Sequence, residues 1–499
     1  MTYLFKTDPY DHQLEVLDIS SEREAFALFM DMGTGKTKVI IDTATYLYGL
    51  GLIDAVVVAA PNGVHRNWVL NEIPAHTPDE IDYKAAYFVA QARKADKVAW
   101  ENVLGASNCL RWFCFNIESA SNKRGQDEMK KCVTLGRVLF VIDESQRIKT
   151  PGAKRTKFII NLSRHADYRR ILSGTPITQS PLDFYAQLKF LDPEITGFRT
   201  FTGFRSHFAI TEQRRNDKAK RGFFEMVVGY KNIDELEKMV SAHCYRVEKN
   251  ECLDLPEKVF EKRYVPMHPE QKRIYDQLLK ESVAALSDEI SIVIPPELRG
   301  ASAEQLLLFY ADKKVTAKNA MVKVLRLQQV LCGAVPDDEN NVVEYIPSCR
   351  MNILEELIED VNGKAIIWAR FRHDLQQIAE LLKKKYGEHS VVEYHGGVPN
   401  DDRADNVARF QKDPECRFFV AQQHSGGTGL TLTAATTVIY YSNDYSLEAR
   451  LQSEDRAHRI GQRNNVTYID LVVEKSVDEQ ILKALNNKRA VANAFNYEA

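Results

Sequence analysis

Short, nearly unbroken apolar runs recur along this sequence, and they limit the possible fold more than any other feature. In the first half they are Asp54–Ala60 (DAVVVAA), Leu110–Asn116 (LRWFCFN), Arg137–Asp143 (RVLFVID) and Arg169–Ser173 (RRILS). In the second half they are Lys364–Ala369, Ser390–Tyr394, Cys416–Ala421, Thr437–Tyr441 and Val466–Val473. A strand buried on one face alternates polar with apolar residues. A strand covered by helices on both faces does not, and such strands belong to parallel sheets. Segments with apolar residues at three- and four-residue spacing lie between these runs and supply the helices. The pattern predicts an α/β fold with two parallel-sheet lobes. A chain of 499 residues, 44% hydrophobic and 27% charged, is long enough to bury two such cores.

Between the lobes the pattern turns helical and charged. Ile233–Ser241, Glu270–Leu286 and Ala317–Leu331 have helical apolar spacing, Pro295 and Pro296 mark a break, and Arg214–Gly222 (RRNDKAKRG) is a basic loop. The expected division is a first lobe over 1–194 and a helical protrusion with linker over 195–260. A helical insertion of the second lobe follows over 261–350, then the second lobe over 351–480 and a terminal helix and tail over 481–499.

A net charge of −3 gives no global basic field, so any polyanion site must be local. The eight cysteines contain no CxxC pair, which argues against zinc and for reduced thiols in a cytoplasmic setting. The opening MTYLFKTDPYDHQ is charged where a secretory leader would be apolar, and no run reaches the roughly 18 apolar residues of a membrane span. The expectation is a cytoplasmic protein, in a bacterial or virus-infected cell, with no membrane partner.

Asp31–Thr37 (DMGTGKT) follows apolar Ala25–Met30 and precedes the helical Lys38–Leu50. Gly33, Thr34 and Gly35 suit a loop whose backbone N–H groups turn inward around phosphate oxygens at a helix N-terminus. Lys36 then reaches the terminal phosphates of ATP, and the Thr37 hydroxyl binds Mg²⁺. Met30 stands where the usual first glycine of GxxxxGK[ST] would be, and a plain glycine-rich turn is the competing reading. The strand Val138–Ile142 decides against it, because it ends in Asp143 and Glu144. Asp143 suits Mg²⁺ coordination and Glu144 suits activation of the attacking water.

These motifs resemble helicase superfamily two and, within it, the Swi/Snf-type branch. The resemblance runs through PYDHQ ending at Gln13, APNGVHRNWVLNEI (Ala60–Ile73), FNIES (Phe115–Ser119), DESQRIKT (Asp143–Thr150) and SGTPITQSPLDFYAQLKFLDP (Ser173–Pro193). It continues through WARFRHDL (Trp368–Leu375), YHGGVPNDDR (Tyr394–Arg403), SGGTGLTLTAATTVIYYSNDYS (Ser425–Ser446) and QSEDRAHRIGQ (Gln452–Gln462). The linker segments YRVEKNECLDLPEK (Tyr245–Lys258) and MHPEQKRIYDQLL (Met267–Leu279) mark the branch.

The resemblance implies two RecA-like lobes, ATP and Mg²⁺ as cofactors, and DNA as the track. It implies that Gln13 reads adenine and that Gln452 meets nucleotide or the opposing lobe. Arg456 and Arg459 stand three apart, which on a helix places both on one face. The resemblance sends them to the γ-phosphate, a role worth roughly 10³–10⁵ in rate. Asn62, Asn116, Ser119, Thr175, Arg370, His395 and Thr431 become candidate DNA-phosphate contacts, with helix capping as the alternative for such polar residues at strand ends. Trp68 is expected in the core. Gln146 stands where many relatives have histidine and His424 where an arginine is expected, and the first departure puts in doubt the link from ATP to the DNA side that the resemblance implies.

The expected activity is a DNA-stimulated ATPase and helicase or translocase, working as a monomer without sequence preference. The resemblance includes no chromatin-reading module, so forked or branched DNA in replication, recombination or repair is the expected target. An RNA helicase, the motor of a restriction system and a non-hydrolysing DNA clamp are the alternatives.

Overall fold

The computed structural model describes residues 5–215, 223–252, 255–289, 301–305, 317–336, 342–424 and 430–494. The chain divides into two units, one of Met1–Ile210, Gly229–Asp254 and Val491–Ala499, the other of Thr211–Val228 and Leu255–Ala490.

The first unit is built on β1 (Ala25–Met30), β2 (Ala55–Ala60), β3 (Tyr83–Tyr87), β4 (Leu110–Asn116), β5 (Val138–Asp143), β6 (Tyr168–Leu172) and β9 (Cys244–Val247), in the spatial order β3-β4-β2-β5-β6-β1-β9. Every pairing in this sheet is parallel. All residues of β2 and β5 are buried, as their continuous apolar runs require. Parallel strands bring all their C-terminal ends to one edge, where α/β sheets bind ligands. Within β6, Leu172 pairs with both Leu28 of β1 and Asp143 of β5. The loop after β1 and the acid ending β5 therefore stand two strand spacings apart, about 10 Å.

The second unit has β10 (Lys258–Val265), β13 (Lys364–Trp368), β14 (Val391–Tyr394), β15 (Phe418–Ala421), β16 (Ala435–Tyr440) and β17 (Val466–Val473), ordered β10-β17-β16-β13-β15-β14. It too is parallel throughout. One face buries Tyr275, Leu327, Ile367 and Leu471, the other Trp368, Phe419, Tyr440 and Tyr468. Two small ribbons pair apart from these sheets, β7 (Ala209–Arg215) with β8 (Phe223–Tyr230) and β11 (Ala334–Pro336) with β12 (Val342–Tyr345).

The expected boundaries need correction. The stretch 195–260 is not simply helical, because it contains β7, β8 and β9 and the start of β10. β9 adds to the first sheet beside β1, with Met30 opposite Val247, so that lobe does not end at 194. β9 is a strand of only four residues that includes Arg246, too short and polar to announce itself by pattern alone. β10 already pairs along its whole length with β17. The helices Pro269–Glu289 and Ala317–Leu331 are no appendage, because Tyr275, Val324, Leu327 and Leu331 lie in the same core as Ile367 and Ile439. The terminal helix starts at Val477, and Ile481, Leu482 and Leu485 enter that core. The centre of the basic loop, residues 216–222, lies outside the described residues.

None of the eight cysteines forms a disulfide, and burial pushes the Cys114, Cys132 and Cys332 thiols up. No described helix is long and apolar enough to cross a membrane.

Candidate active site

The phosphate loop leaves β1 and enters the helix Lys36–Gly49. Gly33 (φ 83°) and Gly35 (φ 91°) adopt the left-handed conformation that turns successive N–H groups to one side. Gly35 is doubly constrained, since a Cβ there would stand 2.1 Å from Gln13 Nε2. Thr34 is fully buried, and its hydroxyl donates to the Asp31 carbonyl at 2.8 Å. Lys36 Nζ donates to the carbonyls of Met30 (2.7 Å) and Asp31 (3.0 Å), so the ammonium is held inside the loop by groups that a phosphate can replace. Thr37 follows, half-buried in the first helical turn.

Gln13 lies 2% exposed on the helix Asp11–Ser20. Its Nε2 donates to the Thr34 carbonyl at 2.9 Å and its Oε1 accepts from the Tyr10 N–H at 3.1 Å. Adenine recognition by this amide requires exchanging those bonds. His12, which the sequence did not single out, donates from Nε2 to the same Thr34 carbonyl at 2.8 Å. Its signal was adjacency to Gln13, and only the folded helix shows that both reach the loop.

Asp143 ends β5 and Glu144 follows in the left-handed conformation (φ 56°), capping a short 3-10 turn, Ser145–Ile148. A bulky residue rarely adopts that backbone, and such strain concentrates at active sites. Burial pushes the Asp143 carboxyl up, opposed by a hydrogen bond from Trp68 and by the Lys36 charge. A buried carboxylate plus the Thr37 hydroxyl is a hard-oxygen donor set that fits Mg²⁺, which takes its remaining ligands from phosphates and water.

Two ties lead from the acidic motif to the SGTP loop after β6. Gln146 Nε2 donates to Glu144 Oε2 at 2.8 Å, and its Oε1 accepts from Ser173 Oγ at 2.8 Å. Ser173 Oγ in turn accepts from the Thr175 N–H at 3.0 Å. In parallel, Ser145 Oγ donates to Gln187 Oε1 at 2.6 Å, and Gln187 Nε2 donates to the Pro176 carbonyl at 2.9 Å. A Cβ on Gly174 would sit 3.1 Å from the Met32 N, so this loop rests directly on the phosphate loop. Gln146 thus bridges the acidic motif and the SGTP loop, since a glutamine amide offers a donor to one side and an acceptor to the other.

Asn116 ends β4, and Asn62, Ser119 and Thr175 follow the C-terminal ends of β2, β4 and β6 in the first sheet. Asn62 is exposed. Asn116 Oδ1 accepts from the Glu118 N–H at 3.0 Å, which gives it the capping role in this structure. Ser119 is 8% exposed. The Thr175 hydroxyl is buried without a hydrogen-bond partner among the described residues.

In the second unit, Arg370 follows β13, donating to Gln328 Oε1 at 2.6 Å and lying 3.5 Å from Asp444 Oδ2. His424, following β15, lies 3.1 Å from the same Asp444 oxygen. His395 follows β14, accepts the Gly397 N–H at Nδ1 and faces Glu393 through Nε2 at 3.3 Å. Thr431 is half-buried beside Leu430. Gln452 is on the helix Leu447–Glu454, with Nε2 3.4 Å from Glu448 Oε1.

The helical placement of the arginine pair is not what the structure shows. The helix ends at Glu454, and Arg456 and Arg459 lie in the turn beyond it. They converge for a different reason, because Arg456 Nη1 (3.2 Å) and Arg459 Nη1 (3.0 Å) both donate to the Leu430 carbonyl. The Arg456 carbonyl closes the arrangement by accepting from the Leu432 N–H at 2.9 Å.

A phosphate loop, an acid pair at the end of a strand two places away in the same sheet and a second parallel-sheet unit carrying paired arginines are the features of helicase superfamily two. The chain belongs to the SNF2-related family within it: residues 12–320, more than half its length, match the SNF2-related domain, and 349–461 match the helicase conserved C-terminal domain. It is similar to human TATA-binding protein-associated factor 172, at 27% identity over 71% of this chain and 20% of that protein. The yeast (Saccharomyces cerevisiae) transcription regulatory protein SNF2 is 26% identical over 92% of this chain and 26% of its own length. The Bacillus subtilis protein YwqA, named as a candidate ATP-dependent helicase/translocase, is 24% identical over 92% of this chain and 45% of its own. This chain thus spans less than half of each of these relatives. A solved structure, the Sulfolobus solfataricus SWI2/SNF2 ATPase core in complex with dsDNA, aligns over 100% of this chain and 94% of its own, at 21% identity and a TM-score of 0.41.

Proposed function

We propose that this chain is an ATP-driven DNA translocase without sequence preference, acting on forked or branched DNA in replication, recombination or repair. The observation that carries the reading is the bonded path from Glu144 through Gln146 and Ser173 to Thr175. It joins the carboxylate that would activate water to a loop that carries an unpaired hydroxyl at the strand-end edge. Family membership and the helicase/translocase name of a bacterial relative support the same activity.

In this reading Lys36 exchanges the Met30 and Asp31 carbonyls for the terminal phosphates of ATP. Asp143 and Thr37 would hold Mg²⁺, which supplies charge neutralisation on the phosphates. Glu144 orients the attacking water and takes its proton. Arg456 and Arg459 stabilise the charge on the transferring phosphoryl group. Asn62, Asn116, Ser119 and Thr175 of one unit and Arg370, His395 and Thr431 of the other take DNA phosphates, which position a strand without reading its bases.

ATPase rates measured with duplex, single-stranded, forked and four-way DNA and with RNA test the proposal. DNA is expected to stimulate and RNA is not. Equal stimulation by RNA would replace DNA with an RNA track, and no stimulation by any of them would remove the motor. Strand separation no faster on forks and junctions than on a tailed duplex would remove the branched target and leave plain translocation.

A further inference from the structure

Trp68 belongs to the motif Ala60–Ile73, whose Asn62 is a candidate DNA contact, yet its ring is 0% exposed and packs against Trp112 with centroids 6.2 Å apart. Its indole Nε1 donates to Asp143 Oδ2 at 3.0 Å. The backbone supporting it is unusual. The chain runs as α-helix over Val64–Asn67, widens to a π-helical turn over Trp68–Glu72 and returns to α-helix over Ile73–His76. Such turns weaken helical hydrogen bonding and occur disproportionately at functional sites.

A buried indole usually finds some partner, and that alone would explain the bond. This fold sets no such requirement, however. The indole N–H groups of Trp112 and Trp368 are buried with no partner among the described residues. The Trp68 donor instead meets the acid that ends β5 two strands from the phosphate loop. An indole N–H is neutral and does not titrate, so it fixes the orientation of a carboxylate without cancelling the charge that attracts a cation. Partners of this kind orient metal-binding carboxylates, and their loss typically costs 10- to 100-fold in metal affinity.

We propose that Trp68 is a positioning residue that holds the Asp143 carboxylate oriented for Mg²⁺. It thereby ties the segment beginning at exposed Asn62 to the metal side of the ATP site. The inference rests on the reading of Asp143 as the Mg²⁺ carboxylate.

Trp68→Phe keeps a buried ring and removes only the N–H donor and the second ring. ADP binding followed by fluorescence across a Mg²⁺ titration is the primary measurement, with ATPase over the same range as the second. The expected result is a Mg²⁺ half-saturation point raised about 10- to 100-fold. Metal-free ADP affinity should be unchanged, and the ATPase rate should recover at high Mg²⁺. A lower melting temperature with an unchanged half-saturation point would make the bond purely structural and overturn the proposal. Wild-type protein whose nucleotide binding ignores Mg²⁺ would instead overturn the reading of Asp143. Should Trp68→Phe fail to fold, indole ¹⁵N–¹H spectra of wild-type protein decide the matter. The Trp68 resonance should shift on adding Mg²⁺ to the ADP complex, and an unmoved resonance refutes the proposal.

Discussion

Ser173 donates its hydroxyl hydrogen to Gln146 Oε1 at 2.8 Å, and both residues are buried, at 0% and 2% exposure. With the opposite end of the Gln146 amide on Glu144, one side chain spans the acidic motif and the SGTP loop. Removing it leaves a buried hydroxyl and a carboxylate short of a donor, a local cost of about 1–3 kcal/mol. Gln146→Ala is expected to reduce stimulation by DNA at least tenfold while basal ATPase falls less. Gln146→His, which can still donate and accept, should recover much of the loss. Basal and stimulated rates falling in equal proportion would show that Gln146 serves hydrolysis alone.

Lys36→Ala and Glu144→Gln should each lower ATP turnover by roughly 10²–10⁴, the scale of a lost general base or phosphate clamp. Glu144→Gln should still bind ATP and DNA, because the amide keeps the shape and removes only the base. Single-turnover hydrolysis and equilibrium binding separate the two effects. Near-normal turnover in either variant would refute the site assignment.

Arg459→Ala should change ATP affinity by less than about tenfold, roughly 1.4 kcal/mol, while hydrolysis drops on the order of 10³-fold. In the proposed mechanism the guanidinium acts on charge that develops in the transition state. Arg456 and Arg459 share the Leu430 carbonyl, so the double variant should lose less than the product of the single losses. An affinity loss matching the rate loss would make Arg459 an ordinary nucleotide contact.

DNA binding should fall steeply with salt, by about 0.9 in log affinity per log salt for each duplex phosphate neutralised, and should ignore sequence. Titrations at several salt concentrations with unrelated duplexes of equal length measure both. A flat salt response is incompatible with the proposed phosphate contacts.

His424 gives a pH signature. The hydrogen bond to Asp444 raises its imidazole above the ordinary 6.5. Burial alone would raise the Asp444 carboxyl, but the His424 hydrogen bond and the Arg370 and His424 charges outweigh it and hold the carboxyl well below the usual range. A His pKa raised on folding contributes stability that is complete below about pH 6.5 and fades as pH climbs through the folded value. The depressed Asp444 keeps its own contribution above about pH 4. The gap in melting temperature between wild type and His424→Asn should therefore be widest between about pH 4 and 6.5 and shrink by pH 8. The His424 side chain is 65% exposed, so the gap should be small. A gap constant across that range would rule out this pairing.

The sequence by itself determined the two parallel sheets and the positions of the phosphate loop and the acid pair. Runs such as AVVVAA and VLFVI can be buried on both faces only in covered parallel strands, and glycines beside a lysine at a helix start have few other uses. Those signals are local, written in consecutive residues. Tertiary structure decided what local pattern cannot carry. β9 is too short to read as a strand and exists because β1 offers it an unpaired edge. Arg456 and Arg459 read as one helical face, yet they converge from a turn because a single carbonyl 26 and 29 residues away accepts both. Trp68 and Asp143 are separated by 75 residues, Gln146 and Ser173 by 27. Bonds of that range form only when packed strands bring distant loops to one edge, so their partners are fixed by the sheet order and not by the spacing of residues along the chain.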